Sequence, residues 1–343
     1  MKNSSLIILL IAFTYFSLHA QENEEDIDYC NPRVRGLPRP VGLSINYERV
    51  LDYRINTTSN VDGYPDGEGE INYNRRIKLK FRVPLVDKDK FKLTYGFTYA
   101  HEEFRFADVD ELDYDLYKSL EDKSLKSLGS SFYFLFPRRN NTFFAIRMKI
   151  NLNGDYYLKG VDLFDFLKVS AGPLWGFKKS DNLMYGFGFA YTYTFGDPSI
   201  APLFAYYNTF NDKWGVEALL PLEAKLRYTI NDGALMYLAA ETRGASYTIK
   251  LAEPAFGSNK TVELRHSEIK ISMYFKKEIY DFIWLSVNAG YRYNLNFNLA
   301  ESNRNRNPTN FFQRDYLTES QLEDAFFFNI GLNLVPPRKW LDR

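Results

Sequence analysis

The feature that most constrains this chain is a strict alternation of large and small side chains over residues 183–196, LMYGFGFAYTYTFG. Every odd position carries leucine, tyrosine or phenylalanine, and every even position carries methionine, glycine, alanine or threonine. A period of two residues is typical of a β-strand, whose successive side chains point to opposite faces. Strands of soluble proteins usually end after about five or six residues. A two-faced strand of this length therefore needs an equally long apolar partner.

The same alternation recurs along most of the chain and is cleanest in residues 283–299, where the apolar, lipid-facing positions run from Ile283 to Phe297 and Leu299. In residues 71–83 the apolar, lipid-facing positions run from Ile71 to Val83. The predicted strands cover residues 41–55, 71–83, 90–104, 124–136, 143–153, 166–178, 183–196, 200–210, 214–220, 223–230, 234–248, 262–276, 283–299 and 325–335. Short polar turns alternate with longer loops, which fall near residues 56–68, 106–123, 249–261 and 298–324. Membrane barrels show this alternation because one rim carries tight turns and the other carries long loops.

These patterns predict an all-β chain folded as a transmembrane, antiparallel, up-and-down β-barrel of about 14 strands. Splitting residues 214–230 at Leu220-Pro221-Leu222 gives this even count, whereas one continuous strand there gives an odd one. Twelve strands is the alternative, if residues 196–199 form a bend rather than a turn and one neighbouring segment is irregular. The aromatic rail of residues 183–196 then faces lipid, and its small inner face either leaves space or receives a bulky neighbour. A soluble β-sandwich is the competing fold, and it has difficulty burying so many long, two-faced strands.

The first twenty residues have the composition of an export signal, with Lys2, an apolar run over 6–18 and Ala20 at a position typical of cleavage. An uncleaved membrane anchor is the alternative. The predicted organisation is a signal peptide over 1–20, a periplasmic N-terminal segment over 21–40, the barrel over 41–335 and a periplasmic tail over 336–343. The predicted location is the outer membrane of a Gram-negative bacterium.

The amino-acid composition excludes some classes of function and of covalent stabilisation. The 43 basic and 43 acidic residues balance, so there is no general attraction for nucleic acid. The single cysteine, Cys30, excludes an internal disulfide. A mean hydropathy of −0.37 is compatible with a barrel, because lipid-facing and lumen-facing residues alternate and their contributions cancel.

Catalytic and metal-binding chemistry has little support. Beyond the signal, the chain has only two histidines, and alternation assigns His101 to the lipid face and His266 to the lumen face. The acidic run over 108–115 lacks the glycine and terminal glutamate of an EF-hand loop, so a solvated loop is favoured over weak divalent-ion binding. We therefore predict no enzymatic activity, no metal site and no cofactor.

The inner faces of the predicted strands are rich in charge. Ionisable side chains in a membrane-spanning element should point away from lipid and often mark a pathway. Alternation identifies these lumen-lining candidates: Arg76, Lys78, Lys80, Arg82, Arg147, Lys149, Glu268, Lys270 and Arg292. Lys168 would join them, with Glu48 and Asp52 as further inward acids. Rows of lysine and arginine favour anions in pores. The alternative is that these charges pair across the lumen and close it.

Three segments carry a resemblance to a known family: PRVRGLPRPVGLSINYE, FGFAYTYTFGD and NDKWGVEALLPLEAKLRYTIND. The chain resembles, over nearly its whole mature length, a poorly characterised family of Gram-negative outer-membrane β-barrels with a domain of unknown function. The resemblance implies the barrel fold and no established ligand. Many outer-membrane barrels end on an aromatic residue, whereas this chain ends on PPRKWLDR. An insertion signal is therefore expected inside the last strand.

The sequence thus predicts a narrow passive channel or facilitator for small solutes, with anions as the class that the basic column favours. The alternative is a sealed structural or interaction barrel whose extracellular loops bind a partner. Expected partners are outer-membrane lipid, the barrel-assembly machinery and a small solute. Loops 106–123 and 298–324 are long enough to fold inward and restrict the bore.

Overall fold

The structure is a computed structural model that describes residues 29–107, 114–156, 163–251, 261–302 and 315–340. The predicted signal peptide and most of the acidic run lie outside these ranges. The strands are β1 Leu43–Val50, β2 Tyr53–Ser59, β3 Gly67–Lys88, β4 Phe91–Phe106, β5 Leu125–Pro137, β6 Thr142–Gly154, β7 Leu167–Ser180, β8 Leu183–Phe195, β9 Asp197–Thr209, β10 Trp214–Leu220, β11 Glu223–Asn231, β12 Ala234–Lys250, β13 Thr261–Tyr280, β14 Ile283–Glu301, β15 Tyr316–Leu322 and β16 Ala325–Leu334. An α-helix, α1, spans Asp115–Lys123, and 3-10 turns lie at Leu163–Phe166 and Arg338–Trp340. No helix in the described ranges is both long and apolar enough to cross a membrane.

The strands close into one antiparallel barrel. Consecutive strands pair from β3 to β14, β14 pairs with β16, and β1 pairs with both β16 and β3. β2 continues β1 after a break, and β15 leads into β16, so each of these pairs occupies one position in the wall. The wall therefore has 14 positions, as the sequence predicted. The twelve-strand alternative is wrong, because β8 and β9 are separate strands that turn at Gly196.

The two ends of the barrel differ in their connections. Both ends of the strand series meet at one rim, where the Gly42 N–H donates to the Leu334 carbonyl oxygen at 2.9 Å. We call this the terminal rim and the opposite end the loop rim. Connections at the terminal rim are all short turns. Those at the loop rim are longer, except at Gly196 and at residues 221–222 between β10 and β11. The φ of +88° at Gly196 suits glycine, which lacks the side chain that disfavours this region.

The outward face of the wall is apolar, as a lipid-facing surface requires. Phe189 on the aromatic rail is 57% exposed, and many other large apolar side chains share its orientation. Examples from around the barrel are Ile45, Phe81, Phe187, Phe204, Leu238, Met273, Leu295, Phe326 and Ile330.

Two shifts in the register between neighbouring strands reverse the predicted facing of several side chains. Ile71, Phe297 and Leu299 were expected on the lipid face, but each is 0% exposed and lies in the interior. The β3–β4 ladder shifts between Ile71 and Tyr73, and the β13–β14 ladder shifts where Ser267 and Glu268 pair with Asn296 and Asn294. A bulge adds one residue to a strand and so moves every side chain beyond it to the other face. The loops predicted at 56–68 and 298–324 are also too long, because part of β2 lies in the first and β15 lies in the second.

An apolar cluster fills the barrel towards the loop rim. Helix α1, within the predicted loop 106–123, packs inside the barrel, and its Leu116, Tyr117 and Leu120 are almost fully buried. They pack with Phe104 and Phe297 inside one continuous cluster that draws on β1 to β5, β12 to β16 and α1. The Tyr117 hydroxyl donates to the Gly67 carbonyl at 3.2 Å, and burial raises the pKa of Tyr117 to about 12, so that it stays protonated.

Part of the wall also turns into the lumen. The β10–β11 hairpin is short, and its last pairing with β12 joins Glu223 to Glu241. Beyond that point β12 crosses towards β8 and β6, where Thr248 pairs with Gly154. We call residues 242–250 and 261–268 the infold.

The infold is buried on both faces. Its inner face carries Val262 and Leu264 into the apolar cluster. Its outer face, which would otherwise meet lipid, packs on β7 to β9, where Lys168 lies 2.6 Å from Glu263. A β-carbon added at Gly244 would overlap the Thr194 carbonyl oxygen on β8. The small inner face of the aromatic rail therefore receives a neighbouring strand.

Candidate functional site

A layer of paired charges lies in the lumen next to the apolar cluster. Arg76 on β3 donates to Glu102 on β4 at 2.7 Å and to Glu268 on β13 at 3.1 Å. The same guanidinium lies 3.5 Å from Glu48 on β1. Arg76 is 14% exposed and its three carboxylate partners are almost fully buried. One arginine thus ties together strands that are far apart in the sequence.

Other cations complete this layer. Lys270 contacts Glu48 and lies 3.2 Å from Glu268. Arg292 lies 3.8 Å from Glu268, and Arg243 lies 3.5 Å from Glu48. The paired layer, as we call it, comprises Glu48, Arg76, Glu102, Glu241, Arg243, Glu268, Lys270 and Arg292. Its positive and negative charges balance, so its field largely cancels over distances longer than the ion pairs themselves.

The other polar side chains whose facing was predicted from the sequence lie in different parts of the barrel. His266 is buried with its Nε2 atom 3.6 Å from Glu268, whereas His101 lies on the outward face opposite Ile77. Lys168 is buried against the infold. Asp52 was expected in the lumen, but its side chain is 61% exposed beside Arg49, because it lies at the break between β1 and β2.

A second group of inward cations is not neutralised. It comprises Lys78, Lys80 and Arg82 on β3 and Arg147 and Lys149 on β6. Within the described ranges, none of these five side chains has a carboxylate within ion-pair distance. With its amide oriented to accept, the Asn151 oxygen lies 2.9 Å from the Lys149 ammonium. We call this group the cationic trough.

The floor of the trough is built from small side chains on the two strands between its walls. On β4 these are Thr94, Gly96 and Thr98, and on β5 they are Gly129 and Ser131. A β-carbon at Gly96 would lie 2.6 Å from the Ser131 hydroxyl oxygen. These small residues keep the floor low between the longer lysine and arginine side chains of β3 and β6.

Tyr133 joins the two arginines of the trough. Its ring centroid lies 5.4 Å from the Arg82 guanidinium carbon and 5.2 Å from that of Arg147. Cation–π contacts of this kind stabilise each guanidinium without neutralising its charge. The sequence analysis did not identify Tyr133, although it shares the inward parity of Ser131. It also missed Lys276, which has the parity of Lys270 and lies 5.2 Å from the Tyr274 ring centroid.

The terminal rim is followed by residues 29–42, which we call the N-terminal strap. In chain order its contacts are Tyr29 with Lys90, Cys30 with Arg138, Arg35 with Asp181 and Thr209, Gly36 with Arg227, and Arg39 with Glu278 and Asp281. These partners belong to five different turns or strand ends around the rim and to β11. The strap therefore runs from turn to turn along the rim at the end of the lumen nearest the trough.

Metal chemistry has no candidate in the part of the chain that the structure describes, because no three His, Cys, Asp or Glu side chains are grouped to hold an ion there. The arrangement is instead suited to anions. Guanidinium groups bind carboxylate and phosphate oxygens through paired hydrogen bonds, and ammonium groups add charge.

A family model described as "Domain of unknown function (DUF6268)" matches residues 75–335. The match confirms the resemblance noted from the sequence. It covers β3 to β16 and so includes the whole cationic trough. No curated protein matches the chain.

Solved structures that the chain is similar to include an outer membrane channel from Pseudomonas putida F1, at 11% identity and a TM-score of 0.37, covering 91% of this chain and 100% of that one. A toluene transporter, TodX, from Pseudomonas putida is 9% identical with a TM-score of 0.34, covering 89% and 91%. A FadL homologue from Pseudomonas aeruginosa is 8% identical with a TM-score of 0.35, covering 85% and 88%.

Proposed function

The chain belongs to the DUF6268 family, whose function is unknown, and we propose that it is an outer-membrane channel for small anions that is closed in the conformation described. Export by the N-terminal signal would bring it to the outer membrane of a Gram-negative bacterium, with the terminal rim in the periplasm. Recovery of the folded chain as a soluble periplasmic protein would contradict this location.

One observation carries the proposal: among the described residues, no carboxylate lies within ion-pair distance of five lumen cations, beside a layer in which every cation has such a partner. An uncompensated row of cations in a low-dielectric tube lowers the barrier for anions to enter. The Arg82–Tyr133–Arg147 arrangement adds a geometric preference for carboxylate-like or phosphate-like oxygens.

The closed state has two barriers in series. The paired layer follows the trough, and the apolar cluster with α1 fills the loop rim, while the N-terminal strap runs along the terminal rim. A small anion would reach the trough from the periplasmic side past the strap. Passage to the outside would require the apolar cluster and the paired layer to move, so the proposal predicts small and infrequent conductance events.

The test is a reversal-potential measurement on the purified mature protein in a planar bilayer under a salt gradient. The parent should prefer anions, and the triple variant Lys78→Gln, Lys80→Gln, Arg82→Gln should shift towards cations. The matched control is Lys88→Gln, Lys179→Gln, Lys213→Gln, which removes the same charge from exposed positions near the terminal-rim turns and should resemble the parent. Equal reversal potentials for the trough variant and its control would contradict the proposal.

A sealed barrel that binds a partner through its loops is the competing function. The continuous apolar cluster favours it, because that cluster leaves the loop rim filled. A sealed barrel predicts no conductance from the parent at any voltage, and none after α1 is loosened by Leu116→Ser. The channel predicts that the Leu116→Ser variant opens more often than the parent.

A further inference from the structure

Three arginines surround one tyrosine on the outward face of the barrel. The guanidinium carbons of Arg49, Arg75 and Arg105 lie 4.0, 5.6 and 5.7 Å from the ring centroid of Tyr73. They come from β1, β3 and β4, three neighbouring strands of the wall. None of them belongs to the lumen, so the proposed channel does not use them.

The cluster carries more positive than negative charge. Arg49 and Arg75 stand directly opposite each other in the β1–β3 ladder, an arrangement that like charges disfavour. Glu103 lies 2.6 Å from Arg75, and Asp52 lies 3.9 Å from Arg49 but is 61% exposed. Three cations therefore face two carboxylates in this part of the described wall.

Its neighbours along the wall are of two kinds. On the loop-rim side, Arg54 and Glu70 stand opposite each other in the β2–β3 ladder and balance. On the terminal-rim side, the next outward residues are Tyr47 and Ile77, followed by Ile45 and Leu79. The arginine cluster therefore borders the apolar belt at its loop-rim edge. In a bilayer this is the level of the lipid headgroups, where arginine side chains reach the interface.

We propose that Arg49, Arg75 and Arg105, grouped around Tyr73, bind the phosphate groups of an outer-leaflet glycolipid. The assignment rests on the proposed outer-membrane location, which puts the loop rim in the leaflet that carries phosphorylated glycolipid. Arginine binds phosphate oxygens through paired hydrogen bonds, and the tyrosine hydroxyl supplies a further donor. A bound phosphate would also relieve the repulsion between Arg49 and Arg75.

The proposal is tested by native mass spectrometry of the full mature chain in detergent with bisphosphorylated lipid A. The parent should bind this lipid, and the variant Arg49→Gln, Arg75→Gln, Arg105→Gln should bind it about tenfold more weakly. The control variant Lys88→Gln, Lys179→Gln, Lys213→Gln, with the same loss of charge near the terminal rim, should bind like the parent. Slower migration after boiling on a detergent gel would verify that each variant still forms the barrel.

Two further lipids identify what is bound. Dephosphorylated lipid A should bind the parent and the arginine variant equally weakly, and phosphatidylglycerol should bind the parent less tightly than lipid A. Equal binding of lipid A to the parent and the arginine variant would overturn the site, and equal affinity for phosphatidylglycerol would overturn the glycolipid assignment. The arginine variant should keep the anion preference of the parent, so failure of this site is distinguishable from failure of the channel.

Discussion

Arg76 and Lys78 are two residues apart on the same face of β3, yet their surroundings are opposite. Arg76 contacts three carboxylates, whereas Lys78 belongs to the trough, where no carboxylate of the described residues is within ion-pair distance. Removing one member of a buried ion network leaves the others unpaired, whereas removing one of several like charges relieves repulsion.

Arg76→Gln should therefore lower the free energy of unfolding by about 3 to 5 kcal/mol, because it removes the ion pair of the buried Glu102 and one of the cations beside Glu48 and Glu268. Lys78→Gln, on the same strand and face, should cause no loss. Urea unfolding of both variants in lipid vesicles measures the difference. Similar stability for the two variants would mean that the paired layer is not held together by Arg76.

Phe189 tests the outward facing of the aromatic rail. Its side chain is 57% exposed near the middle of β8. Phe189→Arg should destabilise the barrel by about 2 to 4 kcal/mol, the usual effect of a cation on the lipid face near the midplane. Phe189→Leu is the apolar control and should assemble nearly as well as the parent. Comparable assembly yields of Phe189→Arg and Phe189→Leu in vesicles would contradict the register of β8.

Residue facing could be predicted from the sequence wherever the strands are regular. Alternation cannot reveal a bulge, which is why Ile71 and Phe297 were assigned to the wrong face. The ion pairs between charged side chains could not be predicted either, because the partners of Arg76 include Glu268, which is 192 residues away in the chain.

The infold is the element that most changes the interior, and the short β10–β11 hairpin permits it because the β11–β12 ladder ends at Glu241. The sequence predicted the hairpin at Leu220-Pro221-Leu222 but not this consequence. The sequence of β13 does contain a sign of the infold. Glu263 and Arg265 alternate in step with the lipid-facing Ile271, so a regular wall strand would place both charges in lipid, which is energetically costly.

Gly244→Val should displace the infold, because the added side chain overlaps the Thr194 carbonyl oxygen and cannot be accommodated by a rotamer change. We expect a lower melting temperature and more frequent conductance events than in the parent. Gly42→Ala is the control, since its β-carbon would meet only atoms at 3.7 Å or more. A Gly244→Val variant with parental stability and conductance would show that the infold does not close the lumen.

At the scale of the whole molecule, the N-terminal strap links the turns of the terminal rim to one another. Arg39 anchors it through Asp281 at 3.0 Å and through the Trp284 ring at 5.7 Å. The single cysteine, Cys30, lies in the strap and is only 4% exposed, so its thiol reports whether the strap is in place.

Arg39→Gln should raise the rate at which maleimide labels Cys30 in the folded barrel, because the strap loses its ion pairs at the far end. Arg33→Gln is the control within the same segment, since Arg33 is exposed and its guanidinium donates to the backbone carbonyls of Leu37 and Pro38 within the strap. Identical labelling rates in both variants would indicate that the strap is held by its other contacts.

The barrel class and the strand number were predictable, because they follow from a period of two repeated along the chain. The family was predictable from the three segments that resemble it. The division of the lumen into the paired layer and the cationic trough could not be predicted from the sequence. It depends on which strands the closed sheet brings face to face, and the sequence analysis accordingly left open whether the charges pair or line a path.

The most direct test of the central claim, that the five unpaired cations hold mobile anions, is a crystal structure of the protein grown with bromide. Anomalous scattering locates bromide without reference to the protein density. The account predicts bromide in the cationic trough, between Arg82, Arg147 and Lys149, and none within the paired layer. A trough without bromide, in crystals that show the ion elsewhere, would contradict it.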